Sequence, residues 1–249
     1  MKRLMSRRVV LSILSGTAFA LASGCALLPG GKDAVDVDAL MVSPLRTDND
    51  RAADSRRKPA ELISFAQVRR GMTVLDVGAG GGYTTQVMAL AVGPQGKVWA
   101  QVQKPGAVLE KRLAQPGQTN IELLTRPFED PFPASAPRVD LVTLVLFYHD
   151  IVNTPNDRMK MNRAMFAALK PGGRLLIMDH SGRPGTGLTE TNTLHRIEEK
   201  ALRAEVEAAG FVLEAQSGAW RNQADARDKH SGEASATGDR FALLFARPR

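Results

Sequence analysis

Cysteine is almost absent from this chain of 249 residues, whose single thiol belongs to Cys25. One cysteine excludes an internal disulfide and a zinc site built from cysteines. Stability therefore has to come from a hydrophobic core, which an α/β domain of about 190 residues can supply.

Aromatic residues and excess charge are also scarce. Aromatic side chains make up 5% of the sequence, and the formal net charge is +7. Four basic residues lie within the first eight positions, and without them the balance is +3, an ordinary value for a soluble domain. No arginine-rich run with interleaved aromatic residues appears, so the expected partner is a small molecule and not nucleic acid.

The chain lacks an apolar run of the ~20 residues that a membrane-spanning helix needs. Residues 1–24 instead have the pattern of a signal peptide, with a basic start followed by a mainly apolar stretch of 14 residues, 9–22. Ala22-Ser23-Gly24-Cys25 resembles a bacterial lipobox, in which the cysteine is acylated and becomes the mature N-terminus. We expect export to the periplasm and a membrane anchor through a lipid on Cys25.

Two alternatives for this leader stay open. Ala18-Phe19-Ala20 has the pattern of an ordinary cleavage site, which would leave Cys25 as a free thiol. The segment also suits an uncleaved anchor. The adjacent arginines at positions 7 and 8 resemble those of a twin-arginine export signal.

Residues 25–58 are expected to form a tether and a charged extension. Pro29-Gly30-Gly31 interrupts a stretch with little periodicity, and residues 46–58 are dense in charges of both signs. Such a run usually forms a solvated face, and the alternative is a lid across the active cleft. Pro59 suits the first position of a helix, and the folded domain is expected to cover residues 59–249.

The most informative stretch of the sequence is a short apolar run, residues 74–77, followed by the glycine-rich segment 78–82. This pattern predicts a buried strand that ends in Asp76-Val77, a turn, and then a helix. Strand, glycine turn and helix form the first unit of a nucleotide-binding α/β domain. The dinucleotide fingerprint needs a third glycine where Tyr83 stands, so a pyrophosphate cradle is disfavoured.

An acid followed by Gly-x-Gly-x-Gly resembles motif I of the class I methyltransferases, which use S-adenosylmethionine. A second landmark of that family is Leu169-Lys170-Pro171-Gly172-Gly173 before the apolar strand 174–178. The resemblance covers roughly residues 55–249 and extends to exported bacterial methyltransferase-like proteins with Tyr-His-Asp and Asp-His-Ser segments. It implies a doubly wound, mostly parallel, seven-stranded Rossmann-like sheet that ends in an antiparallel hairpin.

The same resemblance implies which residues hold the cofactor. Its amino-acid end is expected to lie on the glycine-rich loop, at the positions Asp76, Gly78, Ala79, Gly80 and Gly82. At the end of the second strand, 97–102, the family has an acid that binds both ribose hydroxyls, but this chain has Gln101-Val102. A glutamine accepts one hydrogen bond and donates one, so weaker ribose binding is expected.

A third strand, 121–125, precedes the segment in which the family contacts adenine. Phe128 is a candidate to stack on the ring, and Glu129 is a candidate to accept from its amino group. The alternative is a proline-rich loop with a buried phenylalanine.

The apolar strand 140–147 ends in Tyr148-His149-Asp150, where an open α/β sheet has its crevice. We interpret these three residues as catalytic, with His149 as a general base that Asp150 orients. As alternatives, Tyr148 belongs to the core and His149 caps a helix. His149 and Asp150, together with Asp179, His180 and His195, also resemble a nitrogen and oxygen metal site, but no recognised ligand spacing is present. The sequence therefore assigns no metal site.

Two hypotheses of function follow. The first is an S-adenosylmethionine-dependent methyltransferase that acts on a small oxygen or nitrogen acceptor, mainly by positioning donor and acceptor. The second is an exported ligand-binding or structural lipoprotein on an inactive methyltransferase scaffold, because the ribose acid is missing and fold alone does not fix function.

Overall fold

The computed structural model describes residues 33–234 and 237–249. The predicted signal peptide, the predicted lipidation site Cys25 and the first part of the predicted tether lie outside these residues. Within them, no helix combines the length and the apolar character needed to cross a membrane.

Seven strands form one mixed sheet, in the order β3-β2-β1-β4-β5-β7-β6. The first five strands are parallel, while β7 runs antiparallel to both β5 and β6. This arrangement confirms the predicted doubly wound sheet with a C-terminal antiparallel hairpin. The strands are β1 (Thr73–Val77), β2 (Lys97–Val102), β3 (Ile121–Thr125), β4 (Val139–Val145), β5 (Leu169–His180), β6 (Val212–Ser217) and β7 (Arg240–Ala246).

Eight helices are found in the described residues, and local signals in the sequence explain several of their ends. Thr47 and Asp50 form a reciprocal capping box at the start of α2, Pro59 opens α3, and Asp157 caps α7. The helices are α1 (Val37–Met41), α2 (Asp48–Arg57), α3 (Pro59–Phe65), α4 (Tyr83–Val92), α5 (Ala107–Leu113), α6 (Tyr148–Val152), α7 (Arg158–Ala168) and α8 (Glu199–Ala208).

The core lies on both faces of the sheet. Leu75 and Val77 belong to one buried cluster, while Val74 belongs to a second cluster. Successive side chains of a strand point to opposite faces, so the two clusters cover the two faces. A parallel strand covered on both faces needs an unbroken apolar run, which explains the composition of β1 and β4.

The structure differs from the predicted tether before Pro59, whereas the predicted solvated face describes one side of α2, where Asp48, Arg51 and Arg56 are exposed. The chain is helical in α1 and α2, and Leu40, Arg46 and Asp50 are buried. Arg46 donates to Asp54 at 3.0 Å, which links the start of this segment to α2. Arg46 and Asp50 are buried in ion pairs with Asp54 and Arg112, so the alternation of signs did not indicate exposure at these positions.

Other boundaries differ by a few residues or more. Strands β2 and β3 have the predicted limits, whereas β5 begins at Leu169, because residues 169–173 already continue the strand. Helix α8, which follows β5 in the chain, begins at Glu199. Before it, the buried Arg196 donates to the carbonyl of Ser181 at 3.0 Å and pairs with Asp225 at 2.9 Å.

Candidate active site

The glycine-rich loop between β1 and α4 requires glycine most strictly at Gly78. Its φ angle is +67°, and a Cβ atom there would lie 2.4 Å from Cδ1 of Phe147. The Phe147 ring therefore occupies the space that any side chain at position 78 would need. At Gly80 the φ angle is +55°, but the nearest atom to a Cβ would be 3.9 Å away.

Asp76 lies next to this loop, and both of its carboxylate oxygens accept hydrogen bonds from other residues of the protein. Its two carboxylate oxygens accept from the hydroxyls of Thr85, at 2.6 Å, and Thr143, at 2.7 Å. Burial raises the pKa of Asp76 to about 6, although both hydroxyl donors oppose the shift. Through these hydrogen bonds, Asp76 connects β1 to α4 and β4.

Gln101 does not have the predicted ribose-binding role. Its Oε1 accepts from the backbone N–H of Gly78 at 3.0 Å, and its Nε2 donates to the carbonyl of Arg126 at 2.6 Å. The side chain is fully buried, so neither end is left for a ligand. Val102 is also buried, with its carbonyl accepting from Arg126, and offers no polar side chain.

A cavity of ≈ 690 Å³ opens beside the loop. Of the residues predicted to bind a cofactor, Asp76, Gly78 and Ala79 line it, together with Gly81 of the same loop. Its other walls come from three regions: the start of α4, helix α5, and the charged helix α2 with its cap. These residues are Thr47, Asp48, Asn49, Asp50, Ala53, Arg56, Arg57, Tyr83, Thr84, Val108, Lys111, Arg112 and Gln115, and Val145 completes the lining at the end of β4. Sequence reasoning missed α5, and it placed α2 at the cleft only as the less favoured alternative.

Arg112 ties the walls of the cavity together. Its guanidinium donates to both oxygens of Asp50, at 2.9 and 2.8 Å, and to the carbonyl of Gly81 at 3.0 Å. Both partners of this ion pair have only 5% of their side-chain surface exposed. Because one side chain contacts α2 and the glycine-rich loop at once, it fixes their relative position.

Arg57 also faces the cavity, and its guanidinium lies over the ring of Tyr83, 5.4 Å from the centroid. No ion pair or hydrogen bond joins this guanidinium to another residue of the described chain. Burial lowers the pKa of Arg57, against the opposing effects of Tyr83 and Asp76. The cavity therefore contains a cation that forms no ion pair with a carboxylate of the described residues, although Asp76 acts on it from a longer distance.

In the turn after β4, the side chains of the predicted catalytic residues Tyr148 and His149 contact different parts of the protein. The turn begins at Leu146, a non-glycine residue with a φ angle of +57°. Tyr148 points into the core, where its hydroxyl donates to Glu205 at 2.7 Å and accepts from Asn162 at 2.9 Å. The phenol is completely buried, so the catalytic role predicted for Tyr148 is wrong and the core alternative is right.

His149 is held by Asp179 at the end of β5, and not by Asp150 as predicted. Its ring Nδ1 lies 2.6 Å from one Asp179 oxygen, and its backbone N–H donates to the other at 2.9 Å. Asp150 lies on the other side of the ring, 3.4 Å from Nε2. Burial works to lower the pKa of His149, but the charges of Asp179 and Asp150 outweigh it and the pKa is raised.

The sheet order, the strand–glycine loop–helix unit and the cavity beside that loop agree with one family of proteins. A family described as "Methyltransferase domain" matches residues 69–226, which is more than half of the chain. This chain belongs to the class I S-adenosylmethionine-dependent methyltransferase family.

Individual relatives of this methyltransferase domain agree. The chain is 32% identical over 139 residues to the ubiquinone/menaquinone biosynthesis C-methyltransferase UbiE of Burkholderia vietnamiensis, a match that covers 55% of each protein. It is also 32% identical over 120 residues to the protein-L-isoaspartate O-methyltransferase of Ignicoccus hospitalis, which covers 47% of this chain and 52% of the relative. The chain thus spans about half the length of the curated relatives it matches.

A solved structure shows the same fold. The S-adenosylmethionine-dependent methyltransferase of Aquifex aeolicus superposes with a TM-score of 0.60 at 20% identity, over 78% of this chain and 92% of that one. At this identity the likeness establishes the methyltransferase fold and leaves the acceptor open.

The predicted adenine contacts are not among the residues that line the cavity of this methyltransferase domain. Phe128 is buried and packs on Phe147, with ring centroids 5.3 Å apart. Glu129 accepts from the backbone N–H of Asp157 at 3.0 Å, ahead of α7. The alternative of a loop with a buried phenylalanine therefore describes Phe128 better. Gly80 and Gly82 shape the loop around Gly81 without lining the cavity themselves.

Proposed function

We propose that this methyltransferase domain binds S-adenosylmethionine in the cavity beside Gly78 and transfers its methyl group to a small oxygen or nitrogen acceptor. The observation that carries the proposal is the pairing of an exposed main chain at Gly78–Gly81 with the unpaired guanidinium of Arg57 in one cavity. A zwitterionic amino-acid group fits such a surface, because its carboxylate needs a cation and its ammonium needs carbonyl oxygens.

Arg57 is assigned to the cofactor's carboxylate. The guanidinium is planar and presents several donors, so it can hold a carboxylate through two parallel hydrogen bonds. The side chain of Gln101 is hydrogen-bonded to the backbone of Gly78 and Arg126. The end of β2 therefore offers no carboxylate to bind the ribose hydroxyls. Most of the affinity for the cofactor then has to come from Arg57 and the loop.

The acceptor end of the site is assigned to His149 and Asp150. Val145 lines the cavity at the end of β4, and His149 follows four residues later without lining the cavity itself. Since Asp179 holds Nδ1 of His149, Nε2 is the ring atom left for the acceptor. In the transfer, an acceptor lone pair attacks the methyl carbon while the sulfonium bond breaks, which leaves neutral S-adenosylhomocysteine; the acceptor's proton must be lost to a base.

Calorimetric titration of the purified chain with S-adenosylmethionine and S-adenosylhomocysteine tests the proposal. We expect micromolar affinity for both, and a loss of about tenfold or more in Arg57→Ala, the order expected for a charge-assisted hydrogen bond. Arg51→Ala is the matched control, because Arg51 is an exposed arginine of the same helix that does not line the cavity. If neither compound binds, the enzyme proposal fails and a ligand-binding or structural role on an inactive scaffold becomes the better account.

Export with a lipid on Cys25 is proposed from the leader sequence alone. The variant Cys25→Ser is expected to leave the membrane fraction for the soluble one. Unchanged membrane association of Cys25→Ser would exclude the lipid anchor.

A further inference from the structure

Two histidines and one carboxylate meet at the end of β4. His149 Nε2 lies 3.4 Å from Asp150 Oδ1, and His195 Nδ1 lies 3.2 Å from the same oxygen. One ligand atom from each of the three residues falls within 4.8 Å of the other two. His195 comes from the segment between β5 and α8, so the group joins two distant parts of the chain.

These separations match those of atoms bound to one ion. When each bond is about 2.1 Å long, two ligand atoms are about 3.4 Å apart at the tetrahedral angle and about 3.0 Å apart at a right angle. The measured 3.4 and 3.2 Å fall within this range. Two of the three separations thus match those of atoms bound to one ion, and the atoms of the two histidines lie within 4.8 Å of each other.

Asp179 prepares His149 for such a role. A histidine that binds a metal usually donates its other ring N–H to a carboxylate, which fixes the tautomer and turns the free nitrogen to the ion. Asp179 lies 2.6 Å from Nδ1 of His149 and also accepts from the backbone N–H of that residue. Asp179 is itself completely buried, so the ring has little freedom to turn away.

The group is accessible from solvent on one side. His149 is buried, but the side chains of Asp150 and His195 keep 35% and 39% of their surface exposed. Three protein ligands leave at least one coordination position to water or substrate, as in catalytic metal sites. The backbone at His195 adopts a φ angle of +48°, an uncommon conformation for a residue with a Cβ atom.

We propose that His149, Asp150 and His195 bind one divalent transition-metal ion with a position open to the acceptor. Two imidazoles and one carboxylate suit Zn²⁺, Mn²⁺ and Fe²⁺ better than Mg²⁺ or Ca²⁺, which prefer oxygen ligands alone. Metal binding by the three residues is independent of cofactor binding, but it takes up Nε2 of His149, so the ion would replace the direct contact of this nitrogen with the acceptor. The orientation of an acceptor oxygen by the ion rests on the proposed methyl transfer.

Metal binding is tested on the full chain after treatment with a chelator and dialysis. Titration with Zn²⁺, and separately with Mn²⁺, is followed by calorimetry, and metal content is measured by elemental analysis. We expect one equivalent per chain. Asp150→Asn and His195→Ala should each weaken Zn²⁺ binding at least tenfold, and Asp179→Asn should weaken it 10- to 100-fold by releasing the His149 ring.

His230→Ala is the matched control. The His230 ring packs on that of His195, with centroids 4.5 Å apart, but His230 is not part of the three-residue group. The variant His230→Ala should bind Zn²⁺ with an affinity within twofold of that of the wild type. Circular dichroism of each variant checks that it is folded. Because the His195 side chain is partly exposed, we expect His195→Ala to fold and to test the site even if Asp179→Asn unfolds.

Two outcomes would overturn the proposal. One is the absence of a stoichiometric site in the wild type, and the other is an affinity that the Asp150 and His195 variants leave unchanged. Cofactor titrations run with and without Zn²⁺ separate this result from the proposed function. If the protein binds S-adenosylhomocysteine but no metal, only the metal site is refuted. If it binds metal but not S-adenosylhomocysteine, only the transferase proposal is refuted.

Discussion

Arg112 and Asp50 form a buried ion pair with two hydrogen bonds, of 2.9 and 2.8 Å, between helices α5 and α2. The two residues lie 62 positions apart in the chain. Because Arg112 also donates to the carbonyl of Gly81, the pair holds α2 over the glycine-rich loop. The charged segment before the domain is thereby part of the wall of the proposed cofactor site.

Removing the arginine of this pair should destabilise the protein. Arg112→Met leaves the Asp50 carboxylate buried without its partner, a change that costs about 3 kcal/mol of unfolding free energy. Urea unfolding measures the loss, and the double variant with Asp50→Asn should recover part of it. Arg51→Ala, which removes an exposed arginine 4.0 Å from Asp48, should stay within about 0.5 kcal/mol of the wild type. An equal cost for Arg51→Ala and Arg112→Met would contradict the account.

Gly78→Ala should abolish cofactor binding, whereas Gly80→Ala should only weaken it. Both substitutions meet a positive φ angle, which costs about 1 kcal/mol, but only the first puts a Cβ atom 2.4 Å from Phe147. Titration with S-adenosylhomocysteine compares the two variants. The further change Phe147→Ala should restore part of the stability that Gly78→Ala loses, and a purely additive effect of the two changes would argue against the contact.

The pKa of Asp76 predicts a specific dependence of stability on pH. The folded pKa of about 6 lies above the ordinary value of 3.8, so the folded state binds more protons than the unfolded state between these values. The unfolding free energy therefore falls as the pH rises from about 4 to 6, by about 3 kcal/mol, and the penalty persists at higher pH.

The variant Asp76→Asn isolates this effect. It keeps the shape of the side chain but does not ionise, and one threonine hydroxyl has to accept from the new amide instead of donating. That loss does not depend on pH, so the unfolding free energy of the wild type minus that of the variant should show the decline. Denaturant unfolding at several pH values measures the difference. A difference that does not change between pH 4 and 7 would show that Asp76 has an ordinary pKa.

Tyr148→Phe should affect stability and leave binding unchanged. The variant loses the hydrogen bonds to Glu205 and Asn162 in the core, which should cost about 1–2 kcal/mol. Affinities for S-adenosylhomocysteine and Zn²⁺ should equal those of the wild type. A variant of normal stability that no longer binds or turns over would restore the catalytic role that the sequence suggested for Tyr148.

The sequence predicted the sheet well because its signals are local. An apolar run such as that of β2 needs burial on both faces, and the glycine-rich segment 78–82 favours a turn. The hairpin of β6 and β7 followed from the family resemblance, and the structure confirms it.

The site was predicted less well, because side-chain partners depend on contacts between distant segments. Gln101 was interpreted as a weakened ribose ligand, yet its amide joins the backbone of Gly78 and Arg126. Nothing in the sequence near His149 indicates that Asp179, 30 residues later, holds its ring. The run of charges before Pro59 resembled a solvated surface, because the partner of Asp50 is Arg112, which lies on another helix far along the chain.

The most direct test of the central claim is a crystal structure of the chain with S-adenosylhomocysteine. The account predicts that the amino-acid end of the ligand contacts the main chain of Gly78–Gly81, with its carboxylate on Arg57 and its sulfur toward the end of β4. A ligand bound elsewhere, or a cavity closed by the protein's own side chains in the presence of saturating ligand, would contradict it.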